Sequence, residues 1–292
     1  MFDVIMPVVS QHNRIASLSI ASLMRQIRPN HVYVITSKNN FDFFNVLKND
    51  SPVITLDENE LIPGINLQSL GDFIERAGQK RSRAGWYLQQ FLKMSACRLP
   101  GISDHYLIWD ADTVMLRPIQ FLNEKNQALI KPSTEYHQPY FDTYFKLLGK
   151  TRSVDFSFIS EHFLIKSRYM QELLDAIADH TTSQSHWVWK VMASIDPQHL
   201  SGAGFSEFET YGNFVNTVHP GAFALRPLKT IRYGARKFGP IPNRYDLYRL
   251  SLSCAYASFE SWDTEGRRFR IWAEKFLSVL VYYTHPGRHL RG

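Results

Sequence analysis

Two aspartates one residue apart, Asp110 and Asp112, follow directly on the apolar run Tyr106-Leu107-Ile108-Trp109. Short apolar runs of this kind form strands that are covered on both faces. A carboxylate pair ending such a strand stands where, in open α/β sheets, strands stop and loops diverge to leave a crevice. Carboxylates spaced i, i+2 can hold a hard divalent cation, which takes oxygen ligands and keeps positions open for phosphate oxygens. Asp-x-Asp is also a common turn and cap sequence that satisfies local backbone donors. Spacing by itself leaves both readings open.

Other groups able to do chemistry lie on either side of the pair. Residues 78–99 join a basic loop, with Lys80, Arg81 and Arg83, to a helical pattern. In that pattern Leu88, Phe91, Leu92, Ser95 and Leu99 share the face that would pack on a sheet. Trp86, Gln90 and Lys93 share a second face, either solvated or turned to a site. Glu161 and His162 are embedded in residues 156–166, which read as a strand. A charged pair there must be partnered or exposed, so it faces either an acceptor cleft or plain solvent. Further on, Gly202 and Gly204 permit tight turns, and Ser206 with Glu209 has the spacing of a capping box that opens a helix. Glu207 falls in the first turn of that helix, where the dipole favours a carboxylate.

The elements that must position these groups follow from periodicity and breakers. Residues 2–9 read as strand one, ending at Pro7 and the polar turn 10–14; residues 15–27 read as a helix stopped by Arg28-Pro29-Asn30, and 31–36 as strand two. This β-α-β start implies a parallel pair with a right-handed crossover. Residues 52–56 are expected as strand three, 57–71 as a loop, 127–131 as a strand, 140–148 and 167–177 as helices, and 228–233 and 250–259 as strands. Residues 264–283 form a basic amphipathic pattern with Phe269, Trp272, Phe276, Val279, Leu280 and Tyr283 on one broad face. Such a helix either docks on its own protein or lies on an anionic membrane. His285 and His289 in the tail offer a third metal ligand.

The segment Leu107-Ile108-Trp109-Asp110-Ala111-Asp112-Thr113-Val114-Met115-Leu116-Arg117-Pro118 resembles the Asp-x-Asp segment of glycosyltransferases with the GT-A fold. Gly85-Trp86-Tyr87-Leu88-Gln89-Gln90-Phe91-Leu92-Lys93 and Ser206-Glu207-Phe208-Glu209-Thr210-Tyr211-Gly212-Asn213 resemble segments of a little-characterised, bacterial, DUF6492-like family of such enzymes. The resemblance runs through most of residues 1–220. It implies an α/β fold, a GT-A-like Rossmann-type mixed sheet flanked by helices in a single large domain. Residues 1–260 would be the catalytic domain, with 1–118 as the nucleotide-sugar-binding half and 119–260 as the acceptor half. Residues 261–292 would add a basic amphipathic helix and tail. The same resemblance implies that Asp110 and Asp112 hold Mn²⁺ or Mg²⁺ against the donor diphosphate. Pro7, Lys80, Arg83, Gln90, Lys93 and Ala111 would complete the donor site with Asp110. Glu207, or else Glu209, would be the base if the reaction inverts the anomeric centre. The implied substrates are a nucleotide sugar, foremost a UDP-sugar, and a hydroxyl of a glycan or lipid-linked acceptor in bacterial surface polysaccharide synthesis.

Composition is compatible with this and narrows it. At 292 residues, 44% hydrophobic and 21% charged, the chain can bury a substantial core. A net charge of +6 and a pI near 9.2 favour anionic partners. Two cysteines cannot make a disulfide framework or a cysteine-rich zinc site, so a reducing cytoplasm is expected, with peripheral contact at the inner membrane face through residues 264–283. No signal peptide or membrane span is read in the chain. Basic residues are scattered without a nucleic-acid motif, so no nucleic-acid partner is expected. The alternatives are a metal-dependent nucleotidyltransferase, which would release pyrophosphate, and a non-enzymatic basic module for nucleic acid or membrane.

Overall fold

The computed structural model describes residues 1–49, 52–179, 186–260 and 268–284. Its strands are β1 Asp3–Pro7, β2 Val32–Thr36, β3 Val53–Asp57, β4 His105–Trp109, β5 Thr113–Met115, β6 Ala128–Ile130, β7 His162–Lys166, β8 Phe223–Leu225, β9 Thr230–Ile231 and β10 Tyr256–Ser258. Its helices are α1 Asn13–Gln26, α2 Phe41–Asn45, α3 Leu67–Arg76, α4 Ala84–Ser95, α5 Gln138–Leu148, α6 Ser167–Asp179, α7 Trp187–Ser194, α8 Glu207–Val218, α9 Ala235–Phe238, α10 Arg244–Ser251 and α11 Arg268–Thr284.

The main sheet has five strands in the order β3-β2-β1-β4-β7. The first four are parallel, and β7 runs antiparallel to β4 with His162 opposite Trp109. Buried apolar runs in β1 (residues 4–6), β2 (residues 32–35) and β4 (residues 106–109) suit strands covered on both faces. The chain crosses the sheet in one direction from β1 to β2 and in the other from β3 to β4. Right-handed crossovers therefore put α1 and α4 on opposite faces. The architecture is the mixed α/β sheet flanked by helices that the sequence implies.

Two smaller sheets build on this one: β5-β10-β9 and the parallel pair β6-β8. Strand β5 lies beyond a tight turn in which the Thr113 amide donates to the Asp110 carbonyl at 3.0 Å. It is held to α1 by two serines: Ser19 Oγ donates to Thr113 O at 2.6 Å, and Met115 N donates to Ser22 Oγ at 2.9 Å. Antiparallel pairing of Ser258 with Thr113 brings β10, the last of the described strands, beside the first half of the chain.

Several expectations are corrected. Residues 57–71 are not all loop, because Asn66 and Ser69 form a reciprocal capping box (Ser69 N to Asn66 Oδ1 2.9 Å, Asn66 N to Ser69 Oγ 3.0 Å) that starts α3 at Leu67. The strand expected over 156–166 is limited to His162–Lys166; before it Ser157 is held by the Ser133 backbone in an isolated bridge. Residues 244–251 are helical, opened by a capping box between Asn243 and Asp246, so the strand expected over 250–259 shrinks to Tyr256–Ser258 and that over 228–233 to Thr230–Ile231. Gly204 does not take a left-handed conformation. It is needed for space, since a Cβ there would lie 2.3 Å from Ile195 Cγ2.

The last helix, α11, packs on α9 and α10 through its polar side. Arg249 Nη1 lies 2.8 Å from Glu274 Oε2, and Lys275 Nζ lies 3.5 Å from Asp246 Oδ2. Tyr282 also packs on Tyr245 and Tyr248 of α10, whereas other apolar residues point outward, with Trp272 65% and Phe276 57% exposed. Among the described residues no helix is long and apolar enough to cross a membrane. Residues 264–267 of the expected amphipathic stretch, and the tail histidines His285 and His289, lie outside the described residues.

Gly212, in the middle of α8, carries the closest packing of the core. A Cβ at this position would fall 2.2 Å from Cγ of the buried Phe158 ring. Gly212→Ala is therefore expected to destabilise the protein by about 1–3 kcal/mol through overpacking. Gly85→Ala at an exposed position of α4, where the nearest atom is Leu67 Cδ1 at 3.7 Å, is expected to stabilise by about 0.5–1 kcal/mol. Urea unfolding of both variants checks the opposite signs.

Candidate active site

In the order β3-β2-β1-β4 the chain leaves one side of β1 and returns on the other, so the loops beyond β1 and β4 diverge. A crevice at the carboxyl ends of those two strands is the expected ligand site of an open α/β sheet. A cleft of 660 Å³ opens there, with Pro7 from the end of β1 and Asp110, Ala111 and Asp112 from the turn after β4 in its wall. Arg83, Trp86, Gln90 and Lys93 come from α4 and the residue before it, and Ser206, Glu207 and Phe208 from the start of α8. Spacing explains why α4 contributes in this way, because residues three and four apart share one face of a helix.

Lys93 is the centre of the arrangement. Its side chain is 5% exposed, and its ammonium lies 2.9 Å from Asp110 Oδ1 and 3.1 Å from Glu207 Oε1. Burial alone would lower its pKa, but the two carboxylates outweigh that and hold it above the ordinary lysine value. One helical turn before it, Gln90 Oε1 accepts the Glu207 amide at 3.0 Å, satisfying one of the unpaired donors at the start of α8. Ser206 Oγ accepts the Glu209 amide at 3.3 Å as the capping spacing implies. Glu209 does not return the bond. Its carboxylate takes Ser157 Oγ at 2.5 Å and Asn213 Nδ2 at 3.2 Å, and burial raises its pKa against those bonds.

Asp112 and a residue far along the chain, Glu260, complete the acidic wall. Burial, reinforced by the charge of Asp110, pushes Asp112 up to about 6 despite the bond from Ser258 Oγ at 3.2 Å. Burial also pushes Glu260 up to about 7; Asp112 adds to this, and the Arg232 guanidinium, 3.9 Å away, only partly offsets it. Arg232 pairs with Glu135 as well, and both line the cleft. Among the described residues no group of three or more His, Cys, Asp and Glu side chains is gathered closely enough to hold a metal ion. The donor set nevertheless fits a hard cation. It is all oxygen, its carboxylates repel one another in a partly buried wall, and 34% of the Asp110 side chain remains open to the cleft.

The sequence profile of the Family of unknown function (DUF6492) matches residues 5–224, a span that contains Lys93, the Asp110–Asp112 turn and Glu207. The chain belongs to this family. Glu260 and Arg232 lie beyond the matched residues of the DUF6492 family. No curated protein matches the chain in sequence. Solved structures with a loose overall likeness include the galactosyltransferase LgtC in complex with donor and acceptor sugar analogues, at 10% identity and a TM-score of 0.47, covering 95% of each chain. Mouse xyloside xylosyltransferase 1 in its apo form is similar at 14% identity and a TM-score of 0.47, over 90% of this chain and 98% of that one.

Of the residues expected at a site, Pro7, Arg83, Gln90, Lys93, Asp110, Ala111, Asp112 and Glu207 come together around the cleft. Lys80, exposed on the preceding loop, is not among its lining residues, and Glu209 is turned inward. Glu161 and His162 do not face the cleft either. Glu161 receives the Tyr256 hydroxyl at 2.6 Å and Lys131 at 3.4 Å. His162 packs among Trp109, Phe121 and Tyr256, where burial drives its pKa down to about 3. Lys93 is bound to two carboxylates, so its charge is already neutralised, and Arg83 is the cationic side chain that α4 and its lead-in residue leave on the wall.

Two measurements probe this electrostatics. Lys93→Met leaves a buried carboxylate unpaired and is expected to cost roughly 3–5 kcal/mol in urea unfolding, with part recovered in Lys93→Met/Glu207→Gln. Asp112 binds its proton more tightly folded (about 6) than at its ordinary value of 3.8. Its favourable contribution is therefore full below pH 3.8 and is lost as pH rises through 6. In chelator, Asp112→Asn should raise the stability measured at pH 8 by about 3 kcal/mol and flatten its fall between pH 4 and 7.

Proposed function

We propose that this protein is a metal-dependent glycosyltransferase of the GT-A type. It moves a sugar from a nucleotide-diphosphate donor, foremost a UDP-sugar, to a hydroxyl of a glycan or lipid-linked acceptor. The observation that carries the reading is the placement of the Asp110–Asp112 turn in a wide polar cleft at the β1/β4 divergence, with Arg83 and Trp86 beside it. A cleft of this size and mixed lining suits a nucleotide sugar. Asp110 and Asp112 are the residues that would hold Mn²⁺ or Mg²⁺. A cation held there supplies positive charge to the donor diphosphate as the leaving group gathers negative charge.

The chain's own groups do the rest. Arg83, held over Trp86 at 5.5 Å, offers forked donors to phosphate oxygens. Trp86 and Tyr140 supply flat surfaces for a base or sugar ring. Of the two acids expected as base, only Glu207 lines the cleft, so an inverting reaction would use Glu207 to take the acceptor proton. Its carboxylate shares the Lys93 ammonium with Asp110, so the metal side and the acceptor side belong to one electrostatic unit. In this reading the reaction belongs to bacterial surface polysaccharide synthesis on the cytoplasmic side, with α11 at the membrane surface.

Donor hydrolysis with a panel of nucleotide sugars, with and without Mn²⁺, tests the proposal. A UDP-sugar should turn over only with the metal, and Asp110→Ala and Asp112→Ala should each lower the rate by at least ~100-fold. Absence of binding and turnover across the panel, or aspartate variants that behave like the parent, rejects it. Pyrophosphate release from nucleoside triphosphates would replace it with nucleotidyl transfer.

A further inference from the structure

A second cavity of 770 Å³ lies between α1, the strand-end 114–118 and α10, closed on one side by Tyr282 of α11. It shares no lining residue with the cleft. Three arginines, Arg25, Arg117 and Arg244, stand around it, and no aspartate or glutamate does. Among the described residues none of the three forms an ion pair with a carboxylate. Elsewhere in the chain exposed bases commonly do, as with Arg168 and Glu172.

Two of the arginines are held in place by hydrogen bonds. Arg117 Nε donates to the Ser251 carbonyl. Arg244 Nη2 donates to Tyr245 Oη at 2.6 Å, and its guanidinium lies 4.7 Å from the centre of that ring. Each of these bonds uses one of the five N–H donors of a guanidinium, so most of the fork stays available. Uncompensated forked donors converging on a cavity recognise phosphate oxygens, which match their planar geometry. The floor is different in kind, with Leu18, Leu116 and Leu247 exposing carbon to the same space. The ligand that fits both is a phosphate carrying an apolar body.

We propose that this cavity receives the phosphate headgroup of an anionic lipid and seats the protein on a membrane surface. The arginines hold the headgroup while Leu18, Leu116 and Leu247 meet the start of its acyl chains. Recognition here is independent of the reaction in the cleft, because binding is read without turnover. The proposal and the transferase reading can therefore fail separately.

The test is co-sedimentation of the full chain with vesicles of phosphatidylcholine alone and of phosphatidylcholine with phosphatidylglycerol at 7:3. Binding is expected only to the second. Arg25→Gln and Arg244→Gln, both at exposed positions, should each weaken it about 5-fold, while Arg76→Gln on distant α3 should leave it unchanged. A soluble arm titrates glycerol 1-phosphate, followed by intrinsic tyrosine and tryptophan fluorescence. Equal binding to both vesicle types, equal loss in Arg76→Gln, or saturable glycerol 1-phosphate binding without vesicle binding would overturn the proposal. The last outcome would make the cavity a site for a soluble phosphate ester.

Discussion

Lys93 carries its charge into the interior, and three elements depend on where that charge goes. An ammonium taken out of water costs several kcal/mol unless opposite charge meets it at hydrogen-bond distance. Lys93 meets two such groups, Asp110 at the end of β4 and Glu207 at the start of α8, so α4 is tied to both. The consequence runs both ways. Asp110 cannot swing freely toward the cleft, and Glu207 cannot leave the helix start without exposing a cation to an apolar surround that includes the Phe208 ring 5.1 Å away. A site assembled from three separate parts of the sequence is thereby fixed by one side chain.

The Asp110–Asp112 turn shows why short motifs resist a single interpretation. It is a tight turn, closed by its own backbone, and it is also the acidic corner of the cleft. The turn geometry aims the carboxylates, while Ser258 and the β5–β10 pairing hold Asp112 where burial and the charge of Asp110 raise its pKa. The same residues close the turn and line the cleft, since the backbone bond that closes it uses no carboxylate oxygen.

The parts of this arrangement that are local in sequence could be read there. The apolar run before Asp110 announces a buried strand, the α4 spacing separates the sheet-facing leucines from Gln90 and Lys93, and Ser206 marks the start of α8. What could not be read depends on distance along the chain. Glu260 reaches the cleft only because β10 pairs with β5, and nothing near Glu260 distinguishes it from any acid after a short strand. Glu161 and His162 mislead for the opposite reason. Their types suggest chemistry, yet Tyr256, Lys131 and an aromatic surround absorb both, and those partners are remote in sequence. Asn66 and Ser69 could have been seen as a helix start, but the proline and glycine before them dominate the local signal.

The pairing of Thr113 with Ser258 has a further consequence, for the order of synthesis. Pro7, Arg83 and the Asp110 turn, on one part of the cleft wall, are synthesised before the other part. The acidic and basic wall made by Arg232 and Glu260 can close only after β10 has emerged and found β5. Long-range pairings of this kind form late, because the entropy of closing a long loop must be met before the contacts repay it. The cleft wall is therefore complete only once β10 has been made and has paired with β5.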